Sequence, residues 1–182
     1  MPFHQIAGRI ETLVRLAFEK EFDCHLQFVR DIALELQKEY GGETEVIHIA
    51  AIAHDFGRIE SGDNTDHPER GAQKIIPHLE KLGVSADRVE KIARCIRMHE
   101  SLSGFTSIEE EIVANADRLS KITAHGAFML MVKKETYLDR AKWGLKYIEK
   151  NYDMLTLPGL RQKYQEPFKS IQDVYSSVIA GR

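Results

Sequence analysis

The adjacent residues His54 and Asp55 are the first place in the sequence where side chains suited to catalysis or metal binding stand together. They end a run of almost wholly apolar residues, 46–53, which is typical of a helix packed on several sides. Burying the Asp55 carboxylate is costly unless a positive charge compensates it. The pair therefore indicates a divalent metal ion, provided that further ligands can reach the same place.

Three further potential ligands occupy predicted inward faces of other helices: His25, His99 and Asp117. His99 follows Ile96 by three residues and Asp117 follows Val113 by four, and these spacings place each polar residue on the buried side of its helix. Each residue taken alone has an ordinary explanation, either a hydrogen-bonded core histidine or a carboxylate paired with a neighbour. Their joint occurrence on successive helices favours a metal site.

The ligand types narrow the choice of metal without fixing it. Imidazole and carboxylate together suit Mn, Fe, Ni, Co or Zn, and also Mg where carboxylate and water dominate. The set contains no thiolate, so a structural zinc site is not indicated. A divalent ion lowers the pKa of water from about 15.7 to as low as about 7, which supplies hydroxide near neutral pH. The chemistry to expect is hydrolysis.

Helices are the only regular elements that the sequence predicts over useful lengths, so the expected fold class is all-α. Apolar stripes predict helices from Ile6 to Ala17 and from Leu26 to Leu36, and a helix that is apolar on all sides is predicted over 44–56. Pro68, a Ser85 cap and a capping box at 107–110 each mark the start of a further helix. A long amphipathic helix is predicted from about Phe128 to Tyr152, followed by a last helix carrying residues 168–178. The polar stretch 57–66 is predicted to be a loop.

The size and composition fit one domain with a hydrophobic core, since the chain has 182 residues of which 43% are hydrophobic. We expect a single domain over 1–182, with a ligand-bearing core at about 20–125 and a C-terminal helical extension at about 126–182. The net charge of −3 argues against a stable nucleic-acid partner or binding to anionic membranes. Two cysteines, no membrane span and no signal peptide make the cytoplasm the expected location.

The order of the candidate ligands resembles that of the HD-domain metal-dependent phosphohydrolases, whose pattern is H…HD…D. Here the pattern would be His25, then AAIAHDFG at 50–57, then NADRL at 115–119, and the resemblance covers about residues 20 to 125. It implies a compact bundle of five or more core helices. It also implies that the metal is bound by His25, His54, Asp55 and Asp117.

Two more histidines, His67 and His99, resemble additions found in some branches of that superfamily. In binuclear members, histidines at such places hold a second metal that the aspartate of the HD pair bridges. The alternative is that they contact the substrate or orient a single metal's ligands, so either histidine could act in catalysis beside Asp55. Residues 101–105, SLSGF, lack the Gly-Tyr-Pro signature of the cyclic-di-nucleotide phosphodiesterase branch, which argues against that activity.

The resemblance and the residues together predict a phosphohydrolase acting on a nucleotide or another small phosphorylated metabolite. Asp55 would orient the attacking water or accept its proton. Arginine can grip phosphate through two hydrogen bonds, so Arg58, Arg70 and Arg118 are the expected phosphate contacts, whereas Lys74 and Lys121 are expected to form surface ion pairs. The loop at 60–66 is long and polar enough to act as a lid.

Two alternatives stay open at this point. One is a two-metal phosphodiesterase that uses His67 and His99, and the other is a non-catalytic module that binds metal and nucleotide. The C-terminal helices could close the pocket or form a homodimer contact. Trp143 and Tyr147, which lie on the same predicted helix face, are expected to pack together rather than to bind a ligand.

Overall fold

Helices account for nearly all of the regular structure in a computed structural model, which describes residues 1–19, 21–58, 66–125, 129, 134 and 136–181. Within these ranges the α-helices are α1 (Phe3–Phe18), α2 (Gln27–Tyr40), α3 (Thr44–Ala53), α4 (His67–Lys81), α5 (Ala86–Met98), α6 (Ile108–Thr123), α7 (Tyr137–Asp153), α8 (Leu160–Lys163) and α9 (Gln165–Ile179). A π-helical segment (Phe22–Leu26) precedes α2, and a 3-10 turn (Phe56–Arg58) follows α3. No strand occurs in the described ranges, so the all-α prediction is confirmed.

Helix α3 lies at the centre because its side chains are apolar on every side. One face, which includes Val46 and Ile49, packs in a core cluster with residues of α1, α4 and α5. The opposite face, which includes Ile47 and Ala51, packs in a second cluster with residues of α2, α6 and the segment 155–160. A helix enclosed in this way ends in the middle of the molecule, and His54 and Asp55 follow immediately.

The local signals at helix ends are correct in most places. Ser107 accepts a hydrogen bond from the backbone N–H of Glu110, as a capping box requires, and Pro68 lies in the first turn of α4. Ser85 precedes α5 as predicted, but its side chain makes no capping hydrogen bond. Helix α7 begins at Tyr137, nine residues after the predicted start at Phe128, which lies outside the described residues.

None of the helices in the described ranges is both long and apolar enough to cross a bilayer. Cys24 and Cys95 are both buried free thiols. The C-terminal helices α7 and α9 pack on each other and on α6, and this arrangement places α7 beside the helix that carries Asp117.

Candidate metal centre

Three separate elements bring His25, His54, Asp55 and Asp117 to one place. His25 lies in the π-helical segment, the His54-Asp55 pair directly follows α3, and Asp117 lies in the middle of α6. The His25 Nε2 atom is 3.2 Å from Asp117 Oδ1, and His54 Nε2 is 3.4 Å from the same oxygen. From Asp55 Oδ2 the distances to these two nitrogens are 3.9 and 3.7 Å. Ligand atoms of one metal ion are separated by distances of this order, and the four predicted ligands are therefore together.

Hydrogen bonds behind the imidazole rings fix which nitrogen of each ring faces the cluster. The Nδ1 atoms of His54 and His99 lie 2.8 and 2.7 Å from the backbone carbonyls of Ala51 and Ile96. A carbonyl only accepts, so each Nδ1 carries the proton and donates it. The Ser120 hydroxyl donates to the Asp117 carbonyl and therefore accepts from His25 Nδ1. In all three rings Nδ1 therefore donates behind the ring, and Nε2 is the nitrogen that faces the cluster, as a metal ligand requires.

The carboxylates of the cluster are held in the charged form. Burial by itself would raise the pKa of Asp117, but Lys121, His25 and His54 hold that pKa well below its usual range. Burial opposes ionisation of Asp55 as well, and His54, His67 and Arg58 hold its pKa well below the usual range. Both groups are therefore anionic at neutral pH, which is the protonation state that binds a cation.

One buried atom shows that the donor set fits a cation. His54 is fully buried, and its Nε2 has no hydrogen-bond partner among the described residues, although two carboxylate oxygens lie within 3.7 Å of it. Two anionic oxygens this close to one ring nitrogen are stabilised by a positive charge at this place, which a bound cation supplies. Imidazole nitrogen and carboxylate oxygen are ordinary ligands of Mn, Fe, Co, Ni and Zn, so the residues present suit a divalent ion.

A second cluster shares Asp55. His67, the first residue of α4, and His99, which directly follows α5, have their Nε2 atoms 3.2 Å apart. These nitrogens lie 3.3 and 3.7 Å from Asp55 Oδ1, the oxygen that the first cluster leaves free. Burial lowers the pKa of His99 to about 3, so this ring is neutral at physiological pH. Asp55 is thus placed between two groups of potential ligands.

A cavity of about 360 Å³ opens beside both clusters and is lined by cationic as well as acidic side chains. Arg58 lines it, and its Nε donates to Asp55 Oδ1 at 2.7 Å while its Nη2 donates to Glu100 at 3.2 Å. Arg118 also lines it; its Nη2 donates to the Ser101 carbonyl, and its buried Nη1 has no partner among the described residues. Two of the three predicted arginines therefore face the candidate site.

The third arginine, Arg70, is not among the residues that line the cavity. Its Nε donates to the carbonyl of Gly57 at 3.3 Å, which ties α4 to the 3-10 turn. The expectation that Lys121 forms a surface ion pair is wrong, because Lys121 is buried, lines the cavity and pairs with Asp117. Of the predicted lid, residues 60–65 lie outside the described residues, so this expectation stays a prediction.

Several cavity residues were not predicted as members of the site, although closure of the pocket by the C-terminal helices was one of the expected possibilities. Glu100 lies 3.5 Å from His67 Nε2, and Tyr147, Lys150 and Asn151 reach the cavity from α7. The spacing of Asp117 and Lys121, four residues apart on one helix, is a signal that could have identified Lys121 as a neighbour of the site. No comparable local signal exists for α7, because its position depends on how distant segments pack.

The clustering of these side chains agrees with the family resemblance found in the sequence. The chain matches the family model described as HD domain over residues 22–122, more than half of its length, and it belongs to this family. The match includes His25, His54, Asp55 and Asp117, and the resemblance inferred from the ligand order is confirmed. No curated protein matches the chain.

Solved structures share the fold over almost the whole chain. YpgQ from Bacillus subtilis, in its crystal structure with ADP, is 17% identical and has a TM-score of 0.77, covering 100% of this chain and 97% of YpgQ. The Lin1889 protein from Listeria innocua is 20% identical with a TM-score of 0.73, covering 98% and 96%. A predicted HD superfamily hydrolase from an uncultured Thermotogales bacterium is 22% identical with a TM-score of 0.68, covering 96% and 91%. At these identities the likeness shows the fold, including its C-terminal helices.

Proposed function

We propose that this protein is a metal-dependent phosphohydrolase that cleaves a phosphate ester or anhydride bond of a nucleotide or another small phosphorylated metabolite. Membership of the HD-domain family supports this proposal, as does the hydrolase name of a protein with the same fold. YpgQ, which also has this fold, was crystallised with ADP, and this favours a nucleotide among the phosphorylated substrates.

The observation that carries the proposal is the convergence of two imidazole nitrogens and two carboxylates around the unpartnered His54 Nε2. His25, His54, Asp55 and Asp117 would hold the ion. A divalent ion at this place supplies a water molecule of lowered pKa and positive charge next to a phosphoryl oxygen.

The remaining roles belong to side chains that line the cavity. Asp55 is anionic and has one oxygen in each cluster, so it can orient a water molecule or accept its proton. Arg118, which has a donor group without a partner, can bind a phosphate oxygen. Arg58 can do so as well if its hydrogen bonds to Asp55 and Glu100 rearrange.

The test is metal analysis of protein purified without chelator, followed by a screen of nucleotides and phosphoesters with Mn, Mg, Co and Ni. We expect wild-type protein to contain a divalent ion and to hydrolyse at least one compound. His54→Ala should lose both properties. The matched control is His4→Ala, which removes an exposed histidine on α1, and it should retain both. Full activity of metal-free His54→Ala protein would contradict the proposal. Uniform inactivity of wild-type protein that binds a nucleotide tightly would instead favour the non-catalytic module.

The second cluster supports a second candidate function, phosphodiester cleavage with two ions. Asp55 Oδ1, His67 Nε2 and His99 Nε2 lie within 3.7 Å of one another, and a carboxylate with one oxygen in each cluster is placed to bridge two ions. Metal stoichiometry distinguishes the candidates. Two ions per wild-type chain and one per His67→Ala chain would support the two-ion site, whereas one ion in both proteins would count against it.

A further inference from the structure

The cavity has a wall that lies outside the region matched by the HD-domain model. Tyr147 lies three and four residues before Lys150 and Asn151, and Met154 lies four and three residues after them, so the four share one face at the C-terminal end of α7. All four line the same cavity as His25, Asp55 and Asp117. We call these four residues the α7 wall. It places the C-terminal helices at the pocket, which was one of the two roles that the sequence left open.

Asn151 presents an oriented hydrogen-bond acceptor to this cavity. Its side chain is only 7% exposed, and its Nδ2 donates to the Tyr147 carbonyl one helical turn earlier at 2.8 Å. This hydrogen bond fixes the plane of the carboxamide. The Oδ1 atom accepts no hydrogen bond from any described residue. An accessible acceptor without a protein partner, on a side chain that lines a cavity, is a group that a ligand can reach.

Tyr147 forms a rigid surface beside Asn151. Its ring stacks on that of Trp143, with centroids 4.5 Å apart and an angle of 17° between the planes. The two side chains therefore pack together as predicted, and Tyr147 also lines the cavity. Burial and the nearby Asp117 and Asp55 carboxylates raise the pKa of Tyr147. Its hydroxyl therefore stays protonated and uncharged at neutral pH.

The α7 wall combines one cation with neutral polar groups. Lys150 is an exposed cation in this wall, whereas Asn151 and Tyr147 are neutral. A carboxamide oxygen repels the oxygens of an ionised phosphate and accepts only from O–H or N–H groups. Asn151 is therefore suited to contact a part of the substrate that carries hydroxyl or amino groups.

We propose that the α7 wall determines specificity by binding the nucleoside part of a nucleotide, with Asn151 Oδ1 accepting a hydrogen bond from a sugar hydroxyl or a base N–H. This inference rests on the proposed function and goes further by naming the substrate class. A contact of this kind would distinguish nucleotides from compounds that consist of phosphate groups alone.

The test compares two matched, non-hydrolysable probes by calorimetry in the presence of Mn²⁺: adenosine 5′-methylenediphosphonate and methylenediphosphonate alone. Asn151→Leu should weaken binding of the nucleoside probe by about tenfold or more, because the acceptor is replaced by an apolar group. Binding of methylenediphosphonate should change less than about twofold, since that probe has no hydroxyl or amino group to donate to Asn151 Oδ1. Lys146→Ala, an exposed position on the same helix, should change neither affinity.

Asn151→Ala removes the carboxamide without adding bulk to the cavity and should show the same selective loss if Asn151→Leu does not fold. Ribose 5-phosphate locates the contact: weaker binding by the variant indicates a sugar hydroxyl, and unchanged binding indicates the base. Equal weakening of both diphosphonate probes, no weakening of either, or a wild-type protein that does not prefer the nucleoside probe would overturn the inference. Because binding is measured without turnover, a protein that binds selectively but hydrolyses nothing would refute the proposed function and leave the specificity assignment intact.

Discussion

Arg118 carries a buried polar atom that no protein group in the described ranges satisfies. It is 2% exposed, one of its terminal nitrogens donates to the Ser101 carbonyl, and the other has no partner in the described part of the chain. Burial lowers the pKa of Arg118, but an arginine remains protonated in proteins, so the charge persists. An unpaired buried charge costs stability, and a bound anion would remove that cost.

Replacing this residue should therefore separate stability from binding. We expect Arg118→Met to weaken the binding of inorganic phosphate by about 10- to 100-fold, since a hydrogen bond to a charged group contributes roughly 1.5–3 kcal/mol. The free energy of unfolding should stay the same or increase, because the cost of burying this charge outweighs the attraction of Asp117, Glu100 and Glu111. Calorimetric titration with phosphate and urea unfolding measure the two effects. An Arg118→Met protein with normal phosphate affinity, or one destabilised as much as its binding is weakened, would contradict this role.

How far the site could be predicted differs from residue to residue. His99 and Asp117 follow apolar residues at helical spacing, and this local pattern is enough to place them inward. Lys121 shares the face of Asp117, but lysine is seldom buried, and this made a surface position the natural expectation. Whether Arg118 is buried depends on the segment after His99, which packs over it and supplies the Ser101 carbonyl. Such a contact cannot be read from the sequence of α6.

At the scale of elements, the closest approach in the site is that of the 3-10 turn to α4. A Cβ atom added to Gly57 would lie 2.6 Å from the backbone nitrogen of Gly71 and closer still to the carbonyl oxygen of His67. Both contacts are with backbone, so they cannot be relieved by rotating a side chain. Gly57 therefore allows the 3-10 turn to approach α4 closely enough for Asp55 and His67 to meet in the second cluster.

Gly57→Ala should consequently destabilise the fold and disturb the site together. We expect a loss of about 1–3 kcal/mol in the free energy of unfolding, typical of overpacking, and a lower Mn²⁺ affinity. The matched control is Gly8→Ala on α1, where an added Cβ meets nothing within 4 Å. That change should stabilise the protein by up to about 1 kcal/mol, the difference in helix propensity. A Gly57→Ala protein as stable as wild type would show that the two elements can separate at little cost.

The elements themselves were predictable to different degrees. Helix α3 could be identified because it is apolar on all sides, and α6 because its capping box marks the start. The π-helical geometry around His25 could not, because the same sequence pattern fits an ordinary helical turn. The placement of α7 against the cavity depends on packing between distant parts of the chain, and so the α7 wall had no sequence signal.

At the scale of the whole molecule, the fold supplies its own cations to the two buried carboxylates. Asp55 pairs with Arg58, and Asp117 pairs with Lys121. These pairs reduce the repulsion that would otherwise act between the carboxylates in metal-free protein. His25 and His99 are not held in the charged form, because burial lowers the pKa of each ring and favours its neutral form. The stability of metal-free protein should therefore depend on pH through the histidines.

The sign of this dependence follows from the direction of each shift. Burial lowers the pKa of His99 to about 3 and also lowers the pKa of His25 and His125. Below their ordinary pKa of about 6.5, the unfolded chain binds protons that the folded chain does not, so stability falls as pH falls. His54 acts in the opposite direction, because Asp55 and Asp117 outweigh burial and raise its pKa. The large lowering at His99, from about 6.5 to about 3, gives a net loss of stability on acidification.

Asp55 and Asp117 add to this loss only under stronger acid. Their pKa values lie well below the ordinary value of about 3.9, so the stability that they contribute is present above that pH and is lost below it. Between pH 6 and pH 5 the histidines should therefore dominate. We expect the free energy of unfolding of metal-free protein to fall over this range by about 1.4 kcal/mol per pH unit for each net proton taken up on unfolding.

Urea unfolding of chelator-treated protein at half-unit pH steps measures this slope, and His99→Gln isolates the contribution of one ring. Because glutamine does not titrate, the variant should lose less stability between pH 6 and pH 5 than wild-type protein does, whatever its stability at pH 7. The matched control is His4→Ala on α1, which removes an exposed histidine, and its slope should equal that of wild type. A His99→Gln slope equal to that of wild type would mean that His99 is protonated in the folded protein. That result would remove the basis for a neutral His99 in the second cluster.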